Sequence, residues 1–253
     1  MYKHLLWLSV WLGWAMAVSA QQPSAYPEEQ QAEQLVAEMH EPEALKAYER
    51  AITRYPHEAR LYARASLLAS HLAWITDNPS EKKSWLQRAI PYADSARRLN
   101  PNLAAGKLAL AEAVFQQALL SGAKEKINGL KTALTAVQQL LATDSLNAQA
   151  WNLLGRIQLQ LASMSVVERS AARLLFGQIP EASLPQAIRS FQRCMQLDRR
   201  MISNYYDLAT AYHANGQDEL AIQTAQQALR LKSIRQGDDG WKQRCQTLMK
   251  SLQ

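Results

Sequence analysis

The chain has 253 residues, 48% of them hydrophobic, and a formal net charge of +6 at pH 7. Its 28 Lys and Arg residues are scattered, and the densest groups, Arg97-Arg98 and Arg199-Arg200, each end a helical segment, where cations complement the helix dipole. We therefore expect a solvated basic surface and no nucleic-acid partner. Two cysteines are too few for a small domain that is stabilised by several disulfide bonds.

The first twenty residues have the layout of a secretory signal peptide. Lys3 supplies a charged start, Leu5 to Val18 are almost all apolar, and Ser19-Ala20 end the run with small residues. The apolar run is shorter than the roughly 20 residues that a membrane-spanning helix needs. We expect cleavage after Ala20 and an exported protein, periplasmic or secreted, with no membrane insertion afterwards. An uncleaved anchor is the alternative.

The next segments are expected to be a disordered lead at 21–27 and a first, partly exposed helix from Glu28 to Met39. Residues 28–253 are predicted to form a single all-α domain, because Gly and Pro are scarce and good helix formers dominate. No stretch shows the sustained alternation of β-branched residues that strands require.

One spacing, i, i+4, i+7 and i+12, recurs five times along this domain. Its first three positions share one helix face, and the fourth lies beyond the helix, where Pro can end it. Small residues on that face let a neighbouring helix come close. The five sets are Ala44-Tyr48-Ala51-Pro56, Ala89-Ala93-Ala96-Pro101, Ala133-Val137-Leu140-Ser145, Ala187-Phe191-Cys194-Arg199 and Ala221-Ala225-Ala228-Ser233.

A second pattern, i, i+3, i+4 and i+7, opens six residues after each of the first four sets. It begins with a bulky residue and then places an apolar residue beside a small one, which is typical of a helix packed closely on the previous helix. The sets are Tyr62-Ala65-Ser66-Ala69, Lys107-Leu110-Ala111-Val114, Trp151-Leu154-Gly155-Gln158 and Tyr205-Leu208-Ala209-Tyr212.

The alternation of these two patterns resembles the tetratricopeptide repeat, whose helix pairs recur about every 34 residues. The resemblance implies a right-handed superhelix of antiparallel helix pairs. The pairs are expected at about 28–56, 57–101, 102–145, 146–199 and 200–233, with a C-terminal capping helix at 239–252. Pro91 falls inside a predicted helix and should kink or restart it.

An insertion at 165–183 separates the two helices of the fourth pair. Ser165 with Glu168, and Ser183 with Gln186, have the spacing of capping boxes. Between them we expect one short helix, Val166 to Phe176, that ends at Gly177.

The segment Arg173 to Ser183, RLLFGQIPEAS, resembles the regulator-of-microtubule-dynamics family, whose members carry an LFG-x-x-P segment before an amphipathic helix. The likeness covers about Arg60 to the C-terminus, including Gly237-Asp238-Asp239, and is closer to the secreted bacterial members. It implies an all-helical tetratricopeptide-like fold. It does not carry microtubule binding to an exported protein.

No catalytic, cofactor or metal site is predicted. The four histidines after the signal make no H-x-x-x-H pair and have no cysteine at metal-ligand spacing, and no Walker, G-x-G-x-x-G or G-x-S-x-G motif is present. Asp238-Asp239 between glycines is interpreted as a turn and helix cap. Cys194 is interpreted as a small core residue, with a disulfide to Cys245 left open.

The sequence favours a non-enzymatic exported scaffold that binds another protein or an extended peptide through its concave face, which the first helix of each pair lines. Arg60, Arg156 and His213 are expected to hold a carboxylate there; a plain solvated face is the alternative. Other possible functions are a pocket for lipid, glycan or peptide beside the inserted helix, or a membrane-tethered scaffold. The predicted groove residues are Arg60, His71, Glu112, Gln116, Asn152, Arg156, Tyr206, Thr210 and His213.

Overall fold

The computed structural model describes residues 26–252, so the predicted signal peptide and most of the predicted lead lie outside the described residues. Within that range all regular secondary structure is helical, which confirms the predicted fold class. The helices are α1 (Pro27–Ala37), α2 (Glu41–Arg54), α3 (Ala59–Ile75), α4 (Pro79–Leu99), α5 (Ala104–Leu119), α6 (Ala123–Thr143), α7 (Ala148–Ala162), α8 (Val166–Phe176), α9 (Leu184–Leu197), α10 (Ile202–Ala214), α11 (Asp218–Arg230) and α12 (Asp238–Ser251).

The helices pack as five antiparallel pairs: α1 with α2, α3 with α4, α5 with α6, α7 with α9, and α10 with α11. Each pair packs against the first helix of the following pair, and α12 packs against α10 and α11. Within residues 26–252, every helix is too short or too polar to span a bilayer.

The second helix of each pair buries the stripe predicted from the recurring spacing. None of these fifteen side chains is more than 2% exposed. Residues this small at the contact let two helix axes approach closely, which explains why Ala recurs there. The stripe residues are Ala44, Tyr48, Ala51, Ala89, Ala93, Ala96, Ala133, Val137, Leu140, Ala187, Phe191, Cys194, Ala221, Ala225 and Ala228.

The small residue of the second pattern faces this stripe from the first helix of the pair. Ser66 donates a hydrogen bond from Oγ to the carbonyl oxygen of Ala89, at 2.8 Å. Gly155 lies against Phe191, and a Cβ added to Gly155 would be 2.6 Å from the Phe191 ring. The glycine is therefore needed to make room for the Phe191 ring.

The inserted helix α8 has the predicted bounds, Val166–Phe176. Both predicted capping boxes are formed, with Ser165 and Glu168 at the start of α8 and Ser183 and Gln186 at the start of α9. Gly177 ends α8 with a φ of 77°, a value that glycine adopts without strain. Local sequence signals therefore specify this part of the chain.

The sequence predicts that Pro91 kinks or restarts its helix; the restart is wrong, because α4 runs without interruption from Pro79 to Leu99. Proline leaves the carbonyl of Gln87 without its helical donor. Both Pro91 and Gln87 are exposed, so water can hydrate that carbonyl. The buried Ala89 and Ala93 on the opposite face hold α4 against α3.

Candidate functional site

The inner surface of the superhelix is lined by α3, α5, α7 and α10, and residues 231–244, here called the return segment, cross it. His71 Nε2 on α3 lies 3.0 Å from the carbonyl oxygen of Gln236, and the amide of Glu41 donates to Gln236 Oε1 at 3.0 Å. Trp241 packs on Trp74 with 5.6 Å between ring centroids. The last part of the chain therefore contacts the first two helix pairs directly.

The turn that starts α12 holds the return segment in place. Gly237 has a φ of 87°, and a Cβ there would lie 2.5 Å from a side-chain atom of Ile75. The Asp238 carboxylate accepts hydrogen bonds from the amides of Ile234 and Arg235, each at 2.9 Å. Asp238 forms the predicted turn, but the predicted helix cap is wrong, because Gly237 is the N-cap residue of α12 and no side chain caps this helix. Gly237 lets the turn approach α3.

Arg156 of α7 lies at the centre of the inner surface and its side chain is 7% exposed. Nη1 donates to Glu112 Oε1 on α5 at 2.8 Å. The guanidinium carbon lies 3.5 Å from the ring centroid of Trp74 and 4.7 Å from that of Phe115. Stacking of a desolvated guanidinium on aromatic faces is favourable, so Arg156 joins α3, α5 and α7.

The predicted residues of α5 belong to the same buried network. Gln116 Nε2 donates to the carbonyl oxygen of Ser70 at 2.9 Å and to Glu112 Oε1 at 2.6 Å. Glu112 therefore accepts hydrogen bonds from both Gln116 and Arg156. These contacts keep its carboxylate paired although it is largely removed from water.

Asn152 links α7 to α10. Its Nδ2 donates to Asn204 Oδ1 at 3.1 Å and to Asp207 Oδ2 at 2.9 Å. Burial raises the pKa of Asp207 to about 6, against the opposing effects of the Arg156 charge and the Asn152 hydrogen bond. Asp207 is therefore a carboxylate that titrates well above its ordinary range.

The two remaining predicted cations lie at the ends of the inner surface and are already paired. Arg60 Nη2 donates to Glu29 Oε2 at 2.8 Å, and that carboxylate is buried. His213 Nδ1 lies 2.7 Å from Asp218 Oδ1 at the exposed turn between α10 and α11. Both residues, like Arg156, contact a carboxylate of the chain itself, and their contact with a partner stays a prediction.

The other three predicted residues lie near the return segment. Tyr206 packs on Trp241 with 5.5 Å between ring centroids, and Thr210 Oγ1 donates to the Tyr206 carbonyl oxygen at 2.9 Å. His71 Nε2 is also 3.4 Å from Glu41 Oε2, whose carboxyl has a pKa raised by burial. The structure thus gathers seven of the nine predicted residues, and leaves Arg60 and His213 apart.

Arg156, Trp74 and Trp241 line two cavities of about 110 and 270 Å³. Arg156 Nε and Nη2 are buried and have no hydrogen-bond partner among the described residues. A buried donor without a partner costs free energy, so these cavities are where a polar ligand would bind most favourably. The larger cavity is also lined by Lys82, Phe115, Leu159, Gln160, Tyr206, Asp207, Thr210 and Arg244.

The inserted helix presents a second unusual surface. Its inward side packs through the buried Ala172 and the half-buried Phe176, whose carbonyl oxygen accepts from Lys131 Nζ at 3.3 Å. Four large apolar side chains of α8 are 68–87% exposed. They are Val166, Val167, Leu174 and Leu175, here called the α8 face.

Comparison with known proteins places this architecture in a family. The sequence model of the family described as Regulator of microtubule dynamics protein 1-3 matches residues 29–253. The chain belongs to this family. The matched range contains the inner surface, α8 and nearly all of the helical domain, and the resemblance seen in the sequence is confirmed.

One relative is Regulator of microtubule dynamics protein 1 of Caenorhabditis elegans. It is 24% identical over 126 residues, which cover 50% of this chain and 56% of the relative. The match thus spans little more than half the length of that relative.

The fold is similar to that of TTC0263, a thermophilic TPR protein of Thermus thermophilus. The superposition has a TM-score of 0.63 at 16% identity and covers 88% of this chain and 97% of the other. The family member therefore has the tetratricopeptide-like superhelix that its sequence resembles.

The part of the chain that the structure describes contains no cluster of metal-ligating side chains and no disulfide. No three His, Cys, Asp or Glu side chains come together there in a way that could hold a metal ion. Cys194 and Cys245 are buried free thiols, and Cys194 is a core residue as predicted. Burial raises the pKa of Cys245 to about 12, so its thiol stays protonated.

Sequence reasoning missed Trp74 of α3 and the residues that α4 and α12 contribute to the inner surface. The sequence leaves the role of Trp74 ambiguous and gives no reason to single out Lys82 or Arg244. Nothing in the local pattern around Trp241 shows that α12 turns back onto α3. The one available signal is Gly237-Asp238-Asp239, which predicts the turn but not the surface on which it lies.

Proposed function

We propose that this chain is an exported, non-enzymatic helical-repeat scaffold that binds another protein. The stacked helix pairs and the family membership support an interaction module. The observation that carries the proposal is the α8 face, an exposed apolar surface on a helix that has a complete capping box.

The α8 face is not needed to hold α8 on the domain. Ala172 and Phe176 make the inward contacts, whereas Leu174 is 87% and Val166 81% exposed. Clustered apolar side chains of this size in water are unfavourable and typically mark an interaction site. A partner that covers them gains the free energy of removing that surface from water.

The occupant we favour is an apolar segment of a different protein with acidic flanking residues. Lys131 lies beside α8. The hydrogen bonds with Ser165 lower the pKa of Glu168, and the charge of Lys126 adds a smaller effect in the same direction. The Glu168 carboxylate is held in the capping box, and Lys126 and Lys131 supply two cations next to the α8 face. A second copy would bring the same cations together, so an acidic partner is favoured.

The α8 face serves as an anchor within a larger contact. A standard protein interface uses about 20 residues on each side, more than one short helix supplies. A few well-buried apolar anchors nevertheless carry most of the binding free energy in such interfaces.

The inner surface is a weaker candidate for an extended peptide. Glu112, Gln116, Asn152 and Arg156 are buried or nearly buried, and the return segment lies across the same surface. A peptide in the predicted groove would have to displace Trp241 from Trp74 and Tyr206. Of the predicted groove residues, His213 is exposed, and Arg60, His71, Tyr206 and Thr210 are partly accessible.

A ligand pocket beside the inserted helix, the sequence-based alternative, gains no support from the two cavities at Arg156. None of their lining residues falls within 166–180.

The test is crosslinking in the native cell envelope followed by affinity capture. Leu174→Glu and Leu175→Glu should release a captured protein that Leu146→Glu retains. Leu146 is the matched control, because it is 68% exposed, the same as Leu175, and lies in the loop between α6 and α7. Tyr206→Ala reports on the inner surface in the same experiment.

Release by Tyr206→Ala but not by the two α8 variants would overturn the α8 face as the binding site. Equal release by Leu146→Glu would show a non-specific apolar contact. Circular dichroism of each variant should show unchanged helix content, because all three leucines are exposed.

Export rests on the first twenty residues and is part of the proposal. The intact mass of protein recovered from the envelope should correspond to a chain starting at Gln21. A mass that still includes Met1 to Ala20 would favour the membrane-tethered scaffold instead.

A further inference from the structure

The cavity of about 270 Å³ beside Arg156 contains donors that the described part of the chain leaves unused. An arginine has five N–H donors in a planar fork. One nitrogen of Arg156 donates to Glu112, and Nε and Nη2 have no partner although their atoms are buried. A donor in this position favours an acceptor brought in by a ligand.

Two further cations line the same cavity from other helices. Lys82 comes from α4 and Arg244 from α12. Burial and then the charge of Arg244 lower the pKa of Lys82, so the local environment disfavours its positive charge. Lys82 makes no ion pair within residues 26–252, whereas Arg244 pairs with the exposed Asp77. A bound anion would relieve this accumulation of positive charge.

The cavity walls are largely aromatic. Phe115, Tyr206 and Trp241 line it together with Trp74, and Trp241 packs at a tilt against both Trp74 and Tyr206. Aromatic walls with a few converging charged groups are typical of a small-molecule site. They suit a ligand that has an apolar body as well as a charge.

We propose that this cavity binds a small organic anion, whose carboxylate or phosphate accepts hydrogen bonds from Arg156 and Lys82 while its apolar part packs against the aromatic walls. Such a ligand would connect α4, α7, α10 and the return segment. The site is independent of the α8 face and goes beyond the proposed scaffold function.

Asp207 sets the pH dependence of this site. Its carboxyl lines the cavity and faces Arg156 and Asn152 from α7, Glu112 from α5 and Arg244 from α12. With a pKa of about 6, it is ionised at neutral pH and opposes a second anion. Anion binding should therefore strengthen as the pH falls through 6, and Asp207→Asn should strengthen it at neutral pH.

The test is isothermal titration calorimetry of the whole chain with phenyl phosphate, benzoate and inorganic phosphate, at pH 7.5 and pH 5.5. We expect saturable one-to-one binding of phenyl phosphate or benzoate. Whichever binds more tightly identifies the charged group, and weaker binding of inorganic phosphate identifies the contribution of the aromatic walls. Equal affinity for inorganic phosphate would overturn the part of the proposal that assigns an apolar body.

A pair of matched lysine variants tests whether the anion binds in this cavity. Lys82→Met should weaken it by on the order of tenfold or more. Lys83→Met is the control, because it removes the same charge from the adjacent, exposed position. Arg156→Gln should abolish binding, and if that variant unfolds, the Lys82 and Lys83 pair still decides the question.

Absence of saturable heat with all three anions would overturn the site. So would equal weakening by Lys82→Met and Lys83→Met, since that result indicates only a diffuse electrostatic attraction.

Discussion

The inner surface around Arg156 buries a charged side chain, whereas the α8 face exposes apolar side chains. At Arg156, a charged side chain that is 7% exposed lies among aromatic rings and buried polar groups. On α8, Leu174 is 87% exposed although it is apolar. The first region lowers the cost of its buried charge by internal pairing, and its polar residues hold the domain together. The second keeps an unfavourable surface in water, and that cost is what a binding partner would relieve.

The largest stability effect should come from the return segment, because Trp241 is 3% exposed and joins α12 to α3 and α10. Trp241→Ala should lower the free energy of unfolding by about 3–5 kcal/mol, measured by urea denaturation. Trp85→Ala is the control, since Trp85 is only half-buried on the outside of α4. Similar losses for both tryptophans would show that the return contact adds nothing.

The next effect should come from the buried ion pair. Arg156→Met should cost about 3 kcal/mol, because it leaves the Glu112 carboxylate buried without its cation. Adding Glu112→Gln should recover a large part of that loss, since it removes the uncompensated charge. A double variant that is as unstable as the sum of the single variants would mean that the two side chains act independently.

Asp207→Asn should stabilise the domain at pH 7.5 by about 1–3 kcal/mol. Burial raises the pKa of Asp207 from 3.8 to about 6, so the folded chain holds this proton more tightly than the unfolded chain. Its contribution to stability is therefore complete below about pH 3.8 and is lost as the pH rises through about 6.

The comparison of the two proteins across pH 4–7 isolates this carboxyl from the others. The difference in unfolding free energy between Asp207→Asn and the unaltered protein should grow with pH and level off above about pH 7. A constant difference would show that Asp207 titrates normally.

The smallest stability effect should come from the α8 face. Leu175→Gln should change the free energy of unfolding by less than about 0.5 kcal/mol, because the side chain is 68% exposed. A loss comparable to that of Arg156→Met would show that α8 is part of the core and would contradict the contrast between the two regions.

Sequence periodicity predicted the elements whose signals are local. The spacing of Ala89, Ala93 and Ala96 identified a buried stripe because helix geometry alone puts those positions on one face. The bounds of α8 followed from Ser165 and Gly177, which act within one turn of the helix ends.

The pairing of polar groups across the inner surface could not be predicted in the same way. Arg156 and Glu112 are on different helix pairs, and their contact depends on how α5 and α7 are stacked. The sequence pattern identified both as inward-facing residues, but inward-facing residues at the centre of the surface are covered by Trp241. That covering depends on the direction in which the chain turns after α11. The spacing of residues in the sequence does not predict this direction.

The contact between Gly237 and Ile75 has a consequence for how the domain unfolds. A linear array of helix pairs has contacts only between neighbours, so its terminal units can fray separately from the middle. Here the end of the array is fastened to α3, and loosening either terminus also breaks contacts at the other. Unfolding should therefore be a single cooperative event, with amide hydrogen exchange equally slow in α3 and α10.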